Sequence, residues 1–309
     1  MTTIPDYYDP NRIGQLFYPD VQKISEQAEA AGLKAAAEDD TKVLFLIIDM
    51  QVDFCHEQGT LYTPGALDDI RRVTDFTFRN AESITHITCS MDSHYPFQIF
   101  HPPWWVDESG GHPPPFTVIT YEDVKKGVWR PACEPEWSMH YVEELERQAK
   151  KQLLIWPYHV PIGGVGHMID PELWSAVFWH SVARRTQPTW WRKGSLPKTE
   201  HYSVLQPEVN VAEDPQGGLS PDFLHLLDEY DYVLIAGEAA SHCVQETAED
   251  LIDVYGDTPE KLQRFLLLKD CTSPVQHPEI DFARIAEEKF ASFEKAGLRL
   301  IDSTAPLPF

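Results

Sequence analysis

The run Val43-Leu44-Phe45-Leu46-Ile47-Ile48 constrains the fold more than any other segment of the chain. A continuously apolar, partly β-branched run has no face to offer water, so it is expected as a central parallel strand covered by helices on both sides. It stops at Asp49, an acid set directly after the most apolar stretch of the sequence. Segments of similar character follow at 84–90, 153–156, 232–236 and 265–268. Between them, helical patterns occupy 66–80, 138–150, 172–183, 222–229, 242–254 and 282–296. Strands alternating with helices predict an α/β fold: a doubly wound, mainly parallel sheet in a three-layer α/β/α arrangement. With 309 residues, 42% of them hydrophobic, the chain can bury one large core. Residues 43–309 are expected to form that domain, with a long insertion at about 95–137, and residues 1–42 an extension containing one helix over 21–39. The Pro- and Trp-rich stretch 96–115 is expected as an ordered loop over the site.

Charge and cysteine usage exclude several classes of partner. The formal net charge of -24, from 25 Lys+Arg against 49 Asp+Glu, opposes phosphate backbones and anionic membranes. Nucleic acid and membrane partners are therefore not expected. Five scattered cysteines in a chain of this size do not form a disulfide framework. The segment Met1-Thr2-Thr3-Ile4-Pro5-Asp6 lacks a basic region followed by an apolar run, so a cytoplasmic location is expected.

In doubly wound sheets ligands bind at the carboxyl ends of strands, so polar residues just after strands carry the functional signal. Gly237-Glu238-Ala239-Ala240-Ser241-His242-Cys243-Val244 places Cys243 between a strand and the start of a helix. Backbone N–H groups there favour a thiolate and can hold an oxyanion, although a buried inert cysteine would fit the same position. Asp49 opens Asp49-Met50-Gln51-Val52-Asp53-Phe54, and serves either as a functional acid or as a local cap. Asp92-Ser93-His94 and Trp156-Pro157-Tyr158-His159 follow two further strands. A carboxylate and two imidazoles converging there would suit Zn, Fe or Mn, with positions left for water or substrate.

These motifs, in this order, together with Arg192-Lys193-Gly194 between the last of them and the cysteine, resemble the nicotinamidases, the metal-containing branch of the isochorismatase-like cysteine hydrolases. The resemblance implies a triad of Asp49, Lys193 and Cys243, and metal ligands Asp92, His94 and His159, with Zn the first choice of ion. It further implies a cis peptide bond before Ala239, an oxyanion hole from the amides of Ala239 and Cys243, and a ring slot between Phe54 and Trp156. His101 is an additional candidate ligand or substrate contact, and His112 shares the same insertion; either could instead brace a loop.

Two positions depart from the family pattern: Glu238 stands where an apolar residue is general, and Val160 where cysteine is common. The run Gly163-Gly164-Val165-Gly166-His167 lacks the Lys-Ser/Thr of a phosphate loop and is expected as a turn. Thr199-Glu200-His201-Tyr202-Ser203 is expected to line the site or to brace Lys193. The implied reaction is hydrolysis of a small-molecule amide, nicotinamide first, through a thioester. The alternatives are another carboxamide or N-carbamoyl compound, or a non-catalytic scaffold on the same fold. A homo-oligomer is expected, as is common for such folds.

Overall fold

The computed structural model describes residues 3–148, 151–277 and 280–309. Six parallel strands form the central sheet: β1 (Val43–Ile48), β2 (His86–Asp92), β3 (Thr189–Lys193), β4 (Tyr232–Gly237), β5 (Phe265–Leu268) and β6 (Arg299–Ile301). Their spatial order is β6-β5-β4-β1-β2-β3. The chain therefore builds outward in opposite directions from β1, and the crevice between the ends of β1 and β4 is the topological switch point where such sheets bind ligands.

Side-chain alternation along β1 explains why both faces are covered. Phe45 and Ile47 pack with Ile70, Val73 and Phe76 of α2 (Ala66–Arg79) and with Leu173 and Val177 of α4 (Pro171–Arg184). Leu44, Leu46 and Ile48 point the other way. They meet Phe223 and Leu227 of α5 (Pro221–Asp228), Val244, Ala248 and Leu251 of α6 (Cys243–Tyr255), and Phe293 of α7 (Phe282–Ala296). Every residue of β1 is buried, as its unbroken apolar run requires.

Three sequence expectations change. The segment 153–156 contributes only Leu153–Leu154, which pairs antiparallel with Val118–Ile119 outside the central sheet, because Pro157 ends the run and the insertion supplies its partner. Strand β3 lies instead beside β2; its Trp190 and Arg192 face outward at the sheet edge, so its pattern lacks the continuous apolar signal of a central strand. The expected helix over 21–39 is α1 (Val21–Ala30) followed by a separate 3-10 turn at Ala36–Glu38. Gly32, at φ +63°, turns the chain away from the helix.

The N-terminal extension and the insertion each have a small core. Tyr7, Ile24, Ala28 and Leu33 pack on Phe78, Ala176 and Trp179, the outer side of α2 and α4. The insertion leads into α3 (Pro135–Gln148), and its Ile99, Phe100 and Trp105 cluster with Tyr141 and Leu145 of that helix and with Trp156. The predicted end of that helix at Lys150 lies outside the described residues, as do Met1 and Thr2. Among the described residues, no helix is long and apolar enough to cross a membrane.

Candidate active site

Asp49, Lys193 and Cys243 arrive from three elements at the switch point. Asp49 follows β1 with φ 47°, a left-handed turn that aspartate tolerates better than most residues. Lys193 ends β3, and Cys243 is the first residue of α6. The Lys193 ammonium lies 2.8 Å from Asp49 Oδ2 and 3.2 Å from Asp92 Oδ1. It donates to the His201 carbonyl at 2.9 Å and to Cys243 Sγ at 3.5 Å. Ser90 Oγ donates to Asp49 Oδ1 at 2.6 Å and accepts the Asp49 amide, which fixes the carboxylate.

Burial without water makes the electrostatics of this cluster strong. Burial acts to lower the proton affinity of Lys193, but Asp49 and Asp92 outweigh it and hold the ammonium well above the usual lysine range. Burial raises the Asp49 carboxyl, against the opposing pull of Lys193. Burial likewise pushes the Cys243 thiol well up. The site thus sets a thiol, a carboxyl of heightened proton affinity and an ammonium side by side, groups between which a proton can move from sulfur to oxygen.

Beside this cluster, donor atoms of Asp92, His94 and His159 come within 4.8 Å of one another, all three residues buried. His94 Nε2 is 2.8 Å and His159 Nε2 4.0 Å from Asp92 Oδ2. The other ring nitrogens are engaged, His94 Nδ1 with the Gly194 carbonyl at 2.9 Å and His159 Nδ1 with the Pro157 carbonyl at 2.7 Å. Ring orientation and tautomer are thereby set so that both Nε2 atoms face one point, as ligating histidines require. These residues fit a divalent cation. Gly194, at φ +79°, is needed here, because a Cβ would sit 2.2 Å from Asp92 Oδ1 and 2.8 Å from His94 Cε1.

The rest of the aspartate motif holds these loops together. Gln51 Nε2 donates to the Asp92 carbonyl, and Gln51 Oε1 accepts the Asp92 amide, both at 2.8 Å. Asp53 Oδ2 accepts the amide of Val160 at 2.7 Å, next to His159. The glycine run forms a turn pressed on the same carboxylate; a Cβ on Gly166 would lie 2.0 Å from Asp53 Oδ2. The spacing Asp-x-Gln-x-Asp in one motif was the available signal for this bracing, although its partners are far away in sequence.

A small cleft of about 40 Å³ lies over Cys243, tighter than the roughly 300–1,000 Å³ common for small-ligand sites. Phe54, Leu61, Trp156, Tyr202, His242 and Val275 line it, with Asp92 and His159 at one side and Cys243 and Ala239 at the other. Among the described residues, the amides of Ala239 and Cys243 have no hydrogen-bond acceptor, and the Glu238–Ala239 peptide is cis.

Of the remaining candidates, His101 is buried with its ring 6.0 Å from that of His94 and 6.3 Å from that of His159, but it does not join the cluster of donor atoms. His112 bonds the Trp105 carbonyl at 2.7 Å and braces the insertion. Glu238 is buried, its Oε2 accepting the amide of Ser273, and burial together with nearby Asp69 raises its carboxyl well up. Tyr202 lies in the stretch expected to line the site or brace Lys193, whereas Leu61, His242 and Val275 are cleft residues that the sequence did not single out for that role. They come from separate loops, and only the 199–203 stretch, flanking Lys193, carried a signal.

By sequence alone, no family model and no curated protein matches this chain. Solved structures do. The yeast nicotinamidase Pnc1p superposes with a TM-score of 0.57 at 17% identity, covering 84% of this chain and 99% of the yeast one. A nicotinamidase/pyrazinamidase from Acinetobacter baumanii gives 0.55 at 17%, covering 86% and 99%. The PnC1 protein from L. infantum, in complex with nicotinate, gives 0.52 at 20%, covering 87% and 96%. The chain therefore has the nicotinamidase fold.

Proposed function

We propose that the protein is an amidohydrolase of the nicotinamidase type, acting on a small, flat carboxamide, with nicotinamide the first candidate. One observation carries the reading: a single buried ammonium, Lys193, contacts both Asp49 and Cys243 at the sheet's switch point, directly under the cleft. Lys193 holds Asp49 ionised and oriented. Asp49 takes the thiol proton as Sγ bonds to the amide carbon, and the carbonyl electrons move onto oxygen, where the Ala239 and Cys243 amides receive them. The C–N bond then breaks, Asp49 returns the proton to the departing nitrogen, and ammonia leaves a thioester. Water, deprotonated by Asp49, attacks that thioester, and Cys243 leaves with its proton restored.

Asp92, His94 and His159 would hold one divalent ion, Zn before Fe or Mn, whose chemistry there is to anchor a lone pair of the substrate or its water. Phe54 and Trp156 offer ring faces on either side of the cleft.

The cleft lining favours this substrate class over N-carbamoyl amino acids. Among the described residues lining it there is no arginine or lysine, while Asp92 and Glu238 are present, so a substrate carboxylate would find no cationic side chain there. A scaffold role gives no reason to bury two carboxylates and an ammonium together, because such burial carries a desolvation penalty. Ammonia release from nicotinamide by metal-loaded protein, compared with Cys243→Ala, tests the proposal. An intact, metal-loaded wild type that releases none refutes nicotinamide as substrate, and a carboxamide panel then defines the class.

A further inference from the structure

Trp156 and Tyr202 line the cleft together with Phe54, and with His242 they also line a second hollow that includes Gln245, Glu246 and Lys289. Rings shared between two hollows have less packing to fix them, and here their polar edges converge on one carboxylate. Trp156 Nε1 donates to Glu200 Oε1 at 3.0 Å and lies 3.0 Å from the Tyr202 hydroxyl, which itself donates to Glu200 Oε1. Tyr141 Oη, from α3 just after the insertion, donates to Glu200 Oε2 at 2.9 Å and accepts the Glu200 amide at 3.2 Å. Glu200 is 4% exposed, so none of these donors has water as an easy substitute.

We infer that Glu200 is a positioning residue: its buried carboxylate collects the Trp156, Tyr202 and Tyr141 donors and thereby sets the width of the cleft that receives the substrate ring. Glu200 lies between Lys193 and the cleft residue Tyr202 in sequence, and through Tyr141 it ties α3 to that stretch. Substrate and transition state place the same ring in the same slot. Loosening the wall therefore weakens both alike, which raises KM and leaves kcat nearly unchanged.

The inference rests on the proposed hydrolysis for its kinetic readout, so a second readout is chosen that needs no substrate. Protein labelled with 5-fluorotryptophan gives a ¹⁹F resonance for Trp156, assigned by its disappearance in Trp156→Phe. Glu200→Gln keeps one acceptor, and Tyr141→Phe removes a donor that is not among the residues lining the cleft. Both variants are expected to shift or broaden the Trp156 resonance and to raise KM for nicotinamide about tenfold for Glu200→Gln and less for Tyr141→Phe, with kcat within about threefold. Alkylation of Cys243 by iodoacetamide is expected to keep its wild-type rate.

An unmoved Trp156 resonance in both variants overturns the inference, as does a fall in kcat at unchanged KM, which would place Glu200's influence on Lys193 through the His201 carbonyl. If Glu200→Gln fails to fold, Tyr141→Phe carries the test alone by the same two readouts. Absence of ammonia release by wild type would defeat the hydrolase reading and leave the resonance test intact.

Discussion

The two sides of the cleft are built by different means. On one side, Asp49, Lys193 and Cys243 sit at the ends of β1 and β3 and at the start of α6, so their positions follow from the hydrogen-bond register of the sheet. On the other, His159, Trp156 and Tyr202 ride on loops, held by Asp53, Glu200 and the insertion's own core. On the proposed mechanism the contrast separates reactivity from recognition: the sheet-end residues would exchange the proton, and the loop-borne residues would shape the ligand. Loops on a rigid scaffold are also where variation is tolerated.

Removing the proposed nucleophile gives the largest expected effect. Cys243→Ala is predicted to lower kcat by on the order of 10⁴-fold or more while metal content by elemental analysis stays at the wild-type level. Loss of metal in that variant would mean that the two sides are one unit.

Lys193→Met removes the charge that compensates Asp49 and Asp92 and is predicted to destabilise the fold by about 3–5 kcal/mol in urea titration, the expected range for a broken buried ion pair. Cys243→Ala, which removes no resting charge, should remain near wild type. Comparable stability of the two variants would break the description of Lys193 as the electrostatic centre.

A middle effect is predicted for the bracing of Asp92 at the end of β2. Gln51→Leu frees the Asp92 backbone on both its amide and its carbonyl, and metal affinity should fall about 10–100-fold in a competitive chelator titration. An unchanged affinity would show that sheet register alone places Asp92.

The smallest effect concerns the extension, far from the cleft. Burial alone would raise the Asp39 carboxyl, but bonds from Arg184 and Thr85 outweigh it and hold the group below its usual value. A carboxyl depressed in the folded state contributes stability above its unfolded pKa of about 3.9, and loses that contribution as pH falls through the lower folded value. Asp39→Asn is therefore predicted to lower Tm by roughly 2–4 °C at neutral pH. The gap to wild type should close on acidification below about pH 4, and a gap independent of pH would refute the ion-pair role.

The sequence by itself determined the parts whose cause is local. The apolar run of β1 required a strand covered on both faces. The helix pattern at 282–296 matches α7, and the strand–loop–helix grammar around Cys243 placed a cysteine at a helix start. Motif chemistry singled out Asp49, Asp92, His94 and His159, the family resemblance added Lys193, and the fold brings all five to one place.

Tertiary structure alone decided the rest. Strand β3 is an edge strand with alternating exposure, so only its pairing with β2 reveals it. The segment 153–156 reads as apolar in sequence, yet its pairing partner is the insertion rather than the sheet. Tyr202, Leu61 and Val275 meet at the cleft, and Gln51, Asp53 and Glu200 brace its loops, through contacts that span long stretches of chain. Local periodicity encodes which face of an element is apolar; it does not encode which distant loop that element will meet.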